Sequence, residues 1–227
     1  MFKYRAEITK EEEIRYISHL DYAALIERAI CRAKLPAAYS EGFNPHLKLA
    51  FASALAVGVT SGAEYMDFEL KEAVEPLQVM RRLRAALPPG VKVNSLRLLT
   101  GKAKALMAET ELAVYRVTVP LIGERAEAER AVEEFNRADG LVYHRVTPKK
   151  TRDIEVKQYI NDSLGLSFIG KDAVIVMKIV VTPTGSIKPG EILGLLQKNY
   201  GLPVDGPEAV IHREKLLGGG KPLIELD

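Results

Sequence analysis

Cysteine is nearly missing from this chain: its 227 residues include one, Cys31. A lone thiol excludes an internal disulfide, a zinc site made of cysteines alone and an iron–sulfur cluster held by this chain's own thiolates. Within its helical pattern Cys31 reads as a small buried apolar residue. Long hydrophobic runs are lacking as well. No stretch approaches the roughly 18 apolar residues of a membrane span, and the opening MFKYRAEITKEEE is too charged for a secretion signal. A cytoplasmic protein with no membrane partner is expected. Excess charge is scarce: 32 Lys and Arg face 30 Asp and Glu, a net +2, which admits an anionic partner without demanding one. The G-x-x-x-x-G-K-[ST] phosphate loop is absent too, so that route to nucleotide binding is closed.

What is present is a soluble composition, 47% apolar and 27% charged, with two patterns that repeat in order. Phe2, Tyr4, Ala6 and Ile8 alternate with charged residues as in a half-buried strand. Ser18 stands as a helix N-cap with Asp21 three residues on, and Tyr22, Leu25, Ile26, Ala29 and Ala33 share the inward side of the helix that follows. Residues 47–55 and 65–70 alternate about a glycine-containing turn, which predicts a hairpin. Pro76 opens a second helix, and residues 91–99 form a closing strand. Residues 100–110 read as a linker. Beyond it come a strand from Leu112, a helix with Ala128, Ala131, Val132 and Phe135 inward, a strand over 141–147, a strong apolar strand from Asp172, a helix from Pro189 to Gly201 and a strand over 209–215. The expected fold is α+β, two tandem ferredoxin-like domains of order βαββαβ, with boundaries 1–100, 101–110 as linker and 111–227. The segment 148–170 fits this poorly. Gly218-Gly219-Gly220 reads as the start of a flexible tail.

Chemistry-bearing side chains concentrate at the first helix and the loop after it. His19 occupies the first helical turn, where the helix dipole disfavours an imidazolium and suits a general base. Tyr39, His46 and Lys48 follow, and together with His19 they could supply an acid, a base and a cation for phosphoryl chemistry. Ser18, Asp21, Glu41, Gly42, Phe43 and Asn44 are candidates for ligand contact. Against this stands a plainer reading in which Ser18 and Asp21 cap the helix, Leu20 packs, His19 is solvated and Asn44-Pro45 makes a turn. A metal bound by His19, Asp21, Glu41 and His46 is a further option, though the spacing matches no zinc signature, so no metal is expected. Arg81, Arg82 and Arg84 on the second helix, and Arg145, Lys149, Lys150 and Arg152 around a mid-chain loop, could pair with phosphates. His144 and His212 lie in strand patterns and read as core or edge residues. Tyr65, Asp67 and Glu69 share a presumed outer sheet face, which argues against an RNA-stacking platform there.

The pieces Ser18-His19-Leu20-Asp21, Arg28-Ala29, Tyr39-Ser40-Glu41-Gly42-Phe43-Asn44-Pro45-His46, Val57-Gly58-Val59 and Glu64-Tyr65-Met66-Asp67 fall in order at close spacing. With them the chain resembles a bacterial family, the radical-SAM-linked proteins known as domain of unknown function 2344, over nearly its whole length. Leu47 stands where the family commonly has proline, and Glu41 where it often has glutamine. The resemblance carries no activity. It implies a radical-SAM enzyme as partner, because members are fused to or encoded beside such enzymes, some near genes for RNA processing. One cysteine cannot supply the C-x-x-x-C-x-x-C cluster motif, and the cobalamin pattern D-x-H-x-x-G is missing, so no cofactor is expected in this chain. The implied function is an accessory RNA- or substrate-binding protein, in tRNA or rRNA modification, with a structural docking partner as the alternative. A looser architectural similarity to CRISPR repeat-processing endoribonucleases implies a third option, metal-independent RNA cleavage by His19 and His46.

Overall fold

The computed structural model describes residues 1–101, 103–147, 150–182 and 185–226, with the backbone alone for Lys150. Its fold is mixed α+β with mostly antiparallel strand pairing, and the chain divides into two compact units. The first comprises residues up to Glu111 together with the chain from Lys215 onwards; the second is Leu112–Glu214. The sequence reading had kept 111–227 in one piece.

In the first unit β1 (Phe2–Lys10), α1 (His19–Arg32), β2 (Leu49–Phe51), β3 (Val59–Leu70), α2 (Pro76–Ala86) and β4 (Val93–Leu98) follow in order. β1 lies between β3 and β4, antiparallel to both, and β2 pairs antiparallel with β3. Tyr22, Ile26, Ala29 and Ile30 are the buried face of α1, and Val79 and Leu83 that of α2, the helical periodicity visible in the sequence. The expected strand over 47–55 shrinks to three residues, because its ladder with β3 runs only from Leu49 to Phe51. β3 grows to twelve.

The other face of this sheet is covered, which the sequence did not suggest. Tyr65 and Asp67 are almost fully buried, as is Arg5 opposite Asp67. The expected linker supplies part of the cover: α3 (Leu106–Glu109) buries Leu106 and turns Glu109 inward. The returning C-terminal chain supplies the rest. The end of β10 (Val210–Gly218) turns through Gly219 and Gly220, both at positive φ, into β11 (Lys221–Pro222). The three glycines therefore build a tight hairpin and not a loose tail, since two left-handed residues in succession suit glycine. Gly218 also has no room for a side chain: a Cβ there would meet the Glu109 carbonyl oxygen at 2.0 Å.

Arg5 ties these pieces together. Its Nε donates to Asp67 Oδ1 at 2.8 Å and its Nη2 to Asp67 Oδ2 at 3.1 Å. Its Nη1 donates to the carbonyls of Leu223 and Leu226 at 2.9 and 3.3 Å, and Nη2 lies 2.8 Å from Glu109 Oε2. Lys3 pairs with Asp67 from the solvent side at 2.9 Å, so two cations balance two carboxylates. Burial alone would lower the Arg5 pKa, but Asp67 and then Glu109 outweigh it and raise it.

The second unit contains β5 (Leu112–Pro120), α4 (Arg125–Arg137), β6 (Val142–Thr147), β7 (Lys150–Glu155), β8 (Gly165–Ile169), β9 (Asp172–Val180) and α5 (Pro189–Tyr200), and closes with the first part of β10. β9 pairs with β5 and β8. Ala128, Ala131, Val132 and Phe135 of α4 are buried as expected. α5 begins at Pro189 and stops at Gly201 in the left-handed conformation (φ +69°). The expected strand at 141–147 does form, but it pairs with β7 as a separate two-stranded ladder, and β8 takes the place beside β9. This is why 148–170 fitted poorly: a hairpin is inserted there.

Two predictions follow from these contacts. Removing one member of a buried, paired charge leaves the others uncompensated and costs about 3–5 kcal/mol. Arg5→Met should therefore lower unfolding free energy in urea by about that amount, with Arg5→Met/Asp67→Leu recovering part of it; equal stability of Arg5→Met and wild type would refute the role. Burial pushes His212 below its ordinary value, opposed by Glu214 and assisted by Arg116. The folded chain thus favours neutral imidazole, and the stability this adds above the ordinary value of about 6.5 drains as pH falls toward the lower folded value. Thermal melts between about pH 8 and pH 5 should lose more on acidification in wild type than in His212→Gln, and parallel curves would count against it.

Candidate functional site

The first unit carries a cleft of about 830 Å3 beside α1 and β2. His19, Ala23 and Glu27 come from α1; Lys48 to Phe51 from the start of β2; Asp67 and Glu69 from β3; Leu106 and Met107 from α3. Each is placed by local structure. Ser18 Oγ accepts from the Asp21 backbone N–H at 3.1 Å and donates to Asp21 Oδ2 at 2.6 Å, so the cap fixes where α1 begins and where His19 points. The half-buried His19 ring stands edge-on to Phe51, centroids 5.3 Å apart, and Phe51 in turn packs on Tyr22. Phe51 is held opposite Met66 by the β2–β3 ladder. Lys48 is set by backbone bonds to Ala38 and Glu69, and its Nζ lies 3.4 Å from the Glu69 carboxylate.

The electrostatics are mixed. Lys3 and Lys48 are each paired with a carboxylate, and Glu27 adds a third acid. Such a cleft is no phosphate trap. Phe51, Leu106 and Met107 offer apolar surface beside the paired charges, which suits an amphipathic group with a neutral or zwitterionic polar end.

The structure brings His19 and Lys48 to this cleft and leaves the other candidates off it. Tyr39 is partly exposed, and its hydroxyl meets Cys31 Sγ at 3.6 Å; that contact is the first cause of its raised pKa. Cys31 is thus exposed, contrary to the buried position expected. Its place on α1 faces the loop where an apolar residue would have faced the core. His46 is exposed, and its main chain closes the loop: Ser40 N–H donates to His46 O, and His46 N–H to Ser40 Oγ. Glu41, Gly42, Phe43 and Asn44 form the exposed loop between them, with Gly42 at φ +119° and Phe43 fully exposed. Leu20 does not pack; it is 79% exposed. Among the described residues no group of three or more His, Cys, Asp and Glu is arranged to hold a metal ion, and no helix is long and apolar enough to cross a membrane.

The mid-chain cations divide. Arg145 is committed to Glu191, donating from Nε and Nη2 to both carboxylate oxygens, and to the Ser186 carbonyl. Glu191 is the first cause of its raised pKa, so Arg145 stabilises the second unit and is not offered to a ligand. Arg152 sits opposite it on β7 and also has a partner. Lys149 lies outside the described residues, as does the Lys150 side chain. His144 pairs with Asp153 across the exposed hairpin at 2.6 Å. The residues that sequence reading missed are Lys3, Glu27, Phe51 and Met107. Nothing local marks them, because they meet only once β2 and α3 are in place.

The model of a family described as "Uncharacterized protein conserved in bacteria (DUF2344)" matches residues 3–189. No curated protein matches the chain. A solved structure described as "Crystal Structure of a Cbf5-Nop10-Gar1 Complex" is similar over 92% of this chain, at 10% identity and a TM-score of 0.49, and the chain spans about half (48%) of that chain's length. A likeness at that level carries no argument.

The N-cap gives a direct check. Ser18→Ala should cost about 1 kcal/mol and detach His19 from Phe51, seen as a changed His19 ring chemical shift. An unchanged shift would mean that the cap does not position the ring.

Proposed function

The chain belongs to this uncharacterised bacterial family, and on that premise we propose that it is an accessory substrate-binding protein working with a radical-SAM enzyme, its first unit holding part of the substrate in the cleft beside His19. The observation that carries this reading is the cleft itself: an open site of about 830 Å3 with an aromatic–imidazole pair and two lysine–carboxylate pairs on its walls. That is recognition machinery. His19 touches the ligand as a hydrogen-bonding group and Lys48 as a charge partner. A tRNA or rRNA component is the substrate class proposed, and the radical chemistry is left to the partner.

The finer fold reading belongs with this proposal. The strand orders β4-β1-β3-β2 in the first unit and β10-β5-β9-β8 in the second support reading each as a ferredoxin-like split βαβ arrangement. On this reading the β6–β7 hairpin is an insertion after α4.

A docking role is the second reading, and Phe43 favours it. Phe43 stands fully exposed on a loop held shut by Ser40 and His46, an aromatic side chain of the kind that anchors protein interfaces. Acid–base RNA cleavage is not supported, because Tyr39 and His46 are not among the residues that line the cleft.

The test is reconstitution with a radical-SAM enzyme from the same organism. The two proteins should form a complex, His19→Ala and Lys48→Ala should lower product yield tenfold or more without weakening it, and Phe43→Ser should weaken the complex itself. Undiminished yield in both cleft variants would overturn the binding reading.

A further inference from the structure

On the other flank of α1 from the cleft lies a second concavity, of about 340 Å3, walled by Arg32 and Arg82 and floored by Ala33, Ala85 and Ala86. Two hydrogen-bonded contacts hold the walls in place. Arg32 donates through Nε and Nη2 to the Ala86 carbonyl at 3.2 and 2.8 Å, and Arg82 reaches the Lys34 carbonyl at 3.4 Å. These bonds silence two carbonyls near the helix C-termini that would otherwise repel an anion. They leave other guanidinium N–H groups of both arginines unspent.

Around this pair the charge is one-sided. Arg28 lies one turn before Arg32 on α1, Arg81 next to Arg82 on α2, and Lys34 just past the end of α1; all are exposed. No ion pair joins any of these five cations to a carboxylate among the described residues, and α2 contains no acidic residue. The chain as a whole carries only +2, so this cluster of cations stands out against a nearly balanced surface. Lys34 adds a separate observation. It is the non-glycine residue at positive φ (+51°) among those described, in the left-handed position after a helix that glycine fills without strain. A lysine kept there accepts backbone strain and places a cation beside the groove.

We propose that this groove binds the phosphate backbone of single-stranded RNA without reading its sequence. Guanidinium groups take phosphate oxygens in pairs, and Arg28 and Arg32 stand about 6 Å apart along α1, so successive phosphates can each find a partner. The alanine floor lets the backbone approach. The groove residues include no large apolar or aromatic side chain, which removes the anchor of a protein interface and the apolar face of a membrane-surface helix. The observations are separate from those behind the cleft reading, so either can fail alone.

The probe is a fluorescein-labelled uridine 20-mer, titrated with the full chain by fluorescence anisotropy over a salt series. Among the described residues Arg28 and Arg81 make no side-chain hydrogen bond or ion pair, so Arg28→Ala and Arg81→Ala keep the fold; equal melting temperatures verify this. Each should weaken binding at low salt several-fold and reduce the slope of log K against log salt by about 0.7. Arg130→Ala and Lys198→Ala, which remove exposed cations of the second unit, should leave RNA affinity unchanged. Absence of saturable binding at low salt overturns the proposal, as does an Arg28→Ala/Arg81→Ala double variant that binds like wild type. Binding to vesicles rich in anionic lipid, lost in the double variant and unmatched by RNA, would assign the groove to a membrane instead.

Discussion

Five acceptor atoms surround the buried Arg5 guanidinium: both oxygens of Asp67, one of Glu109 and the carbonyls of Leu223 and Leu226. The first unit depends on this arrangement because it joins pieces that are distant in sequence. A strand from the beginning, a strand from the middle, a one-turn helix and the end of the chain all meet at one planar cation. Four of these acceptors take hydrogen bonds from the guanidinium and the Glu109 oxygen lies at ion-pair distance, so the charge in the interior is compensated. A lysine would leave several acceptors without donors. The same pairing sets the floor of the cleft, since Asp67 also holds Lys3 at its rim.

The periodicity of α1 gives it three distinct sides. One side of the helix packs on the sheet through Tyr22, Ile26 and Ile30. A second, with His19, Ala23 and Glu27, lines the cleft, where charges are paired and apolar surface is exposed. A third reaches α2 through Arg32, which donates to the Ala86 carbonyl, and carries Arg28 one turn earlier, neither of them in an ion pair among the described residues. A cleft with paired charges selects by shape and hydrogen bonding, whereas unpaired arginines attract anions of any sequence from a distance.

Much of the fold was legible because burial periodicity is local. The inward residues of α4 and the limits of α5 were readable from Phe135 and its neighbours, from Pro189 and from Gly201. The covered second face of the first sheet was not. Tyr65, Asp67 and Glu69 alternate like a solvated face, and what buries Tyr65 and Asp67 lies roughly 40 residues downstream in α3 and over 150 downstream around Leu223. The candidate site was half legible for the same reason. The Ser18 cap and His19 are a local pattern, while Phe51 and Met107 share no pattern with them.

By itself, then, the sequence determined the α+β class, the start of α1 at Ser18, the lack of cysteine ligands for a cluster and the family to which the chain belongs. Each of these rests on residue type or on spacing of a few positions. Tertiary structure alone decided that Arg5 is the keystone, that Tyr39 and His46 close a loop and do not line the cleft, that Arg145 is committed to Glu191, and that Arg32 and Arg82 face one another. Those outcomes depend on which distant segments meet, and a single guanidinium reads the same in the sequence whether it finds a carboxylate or is left without one.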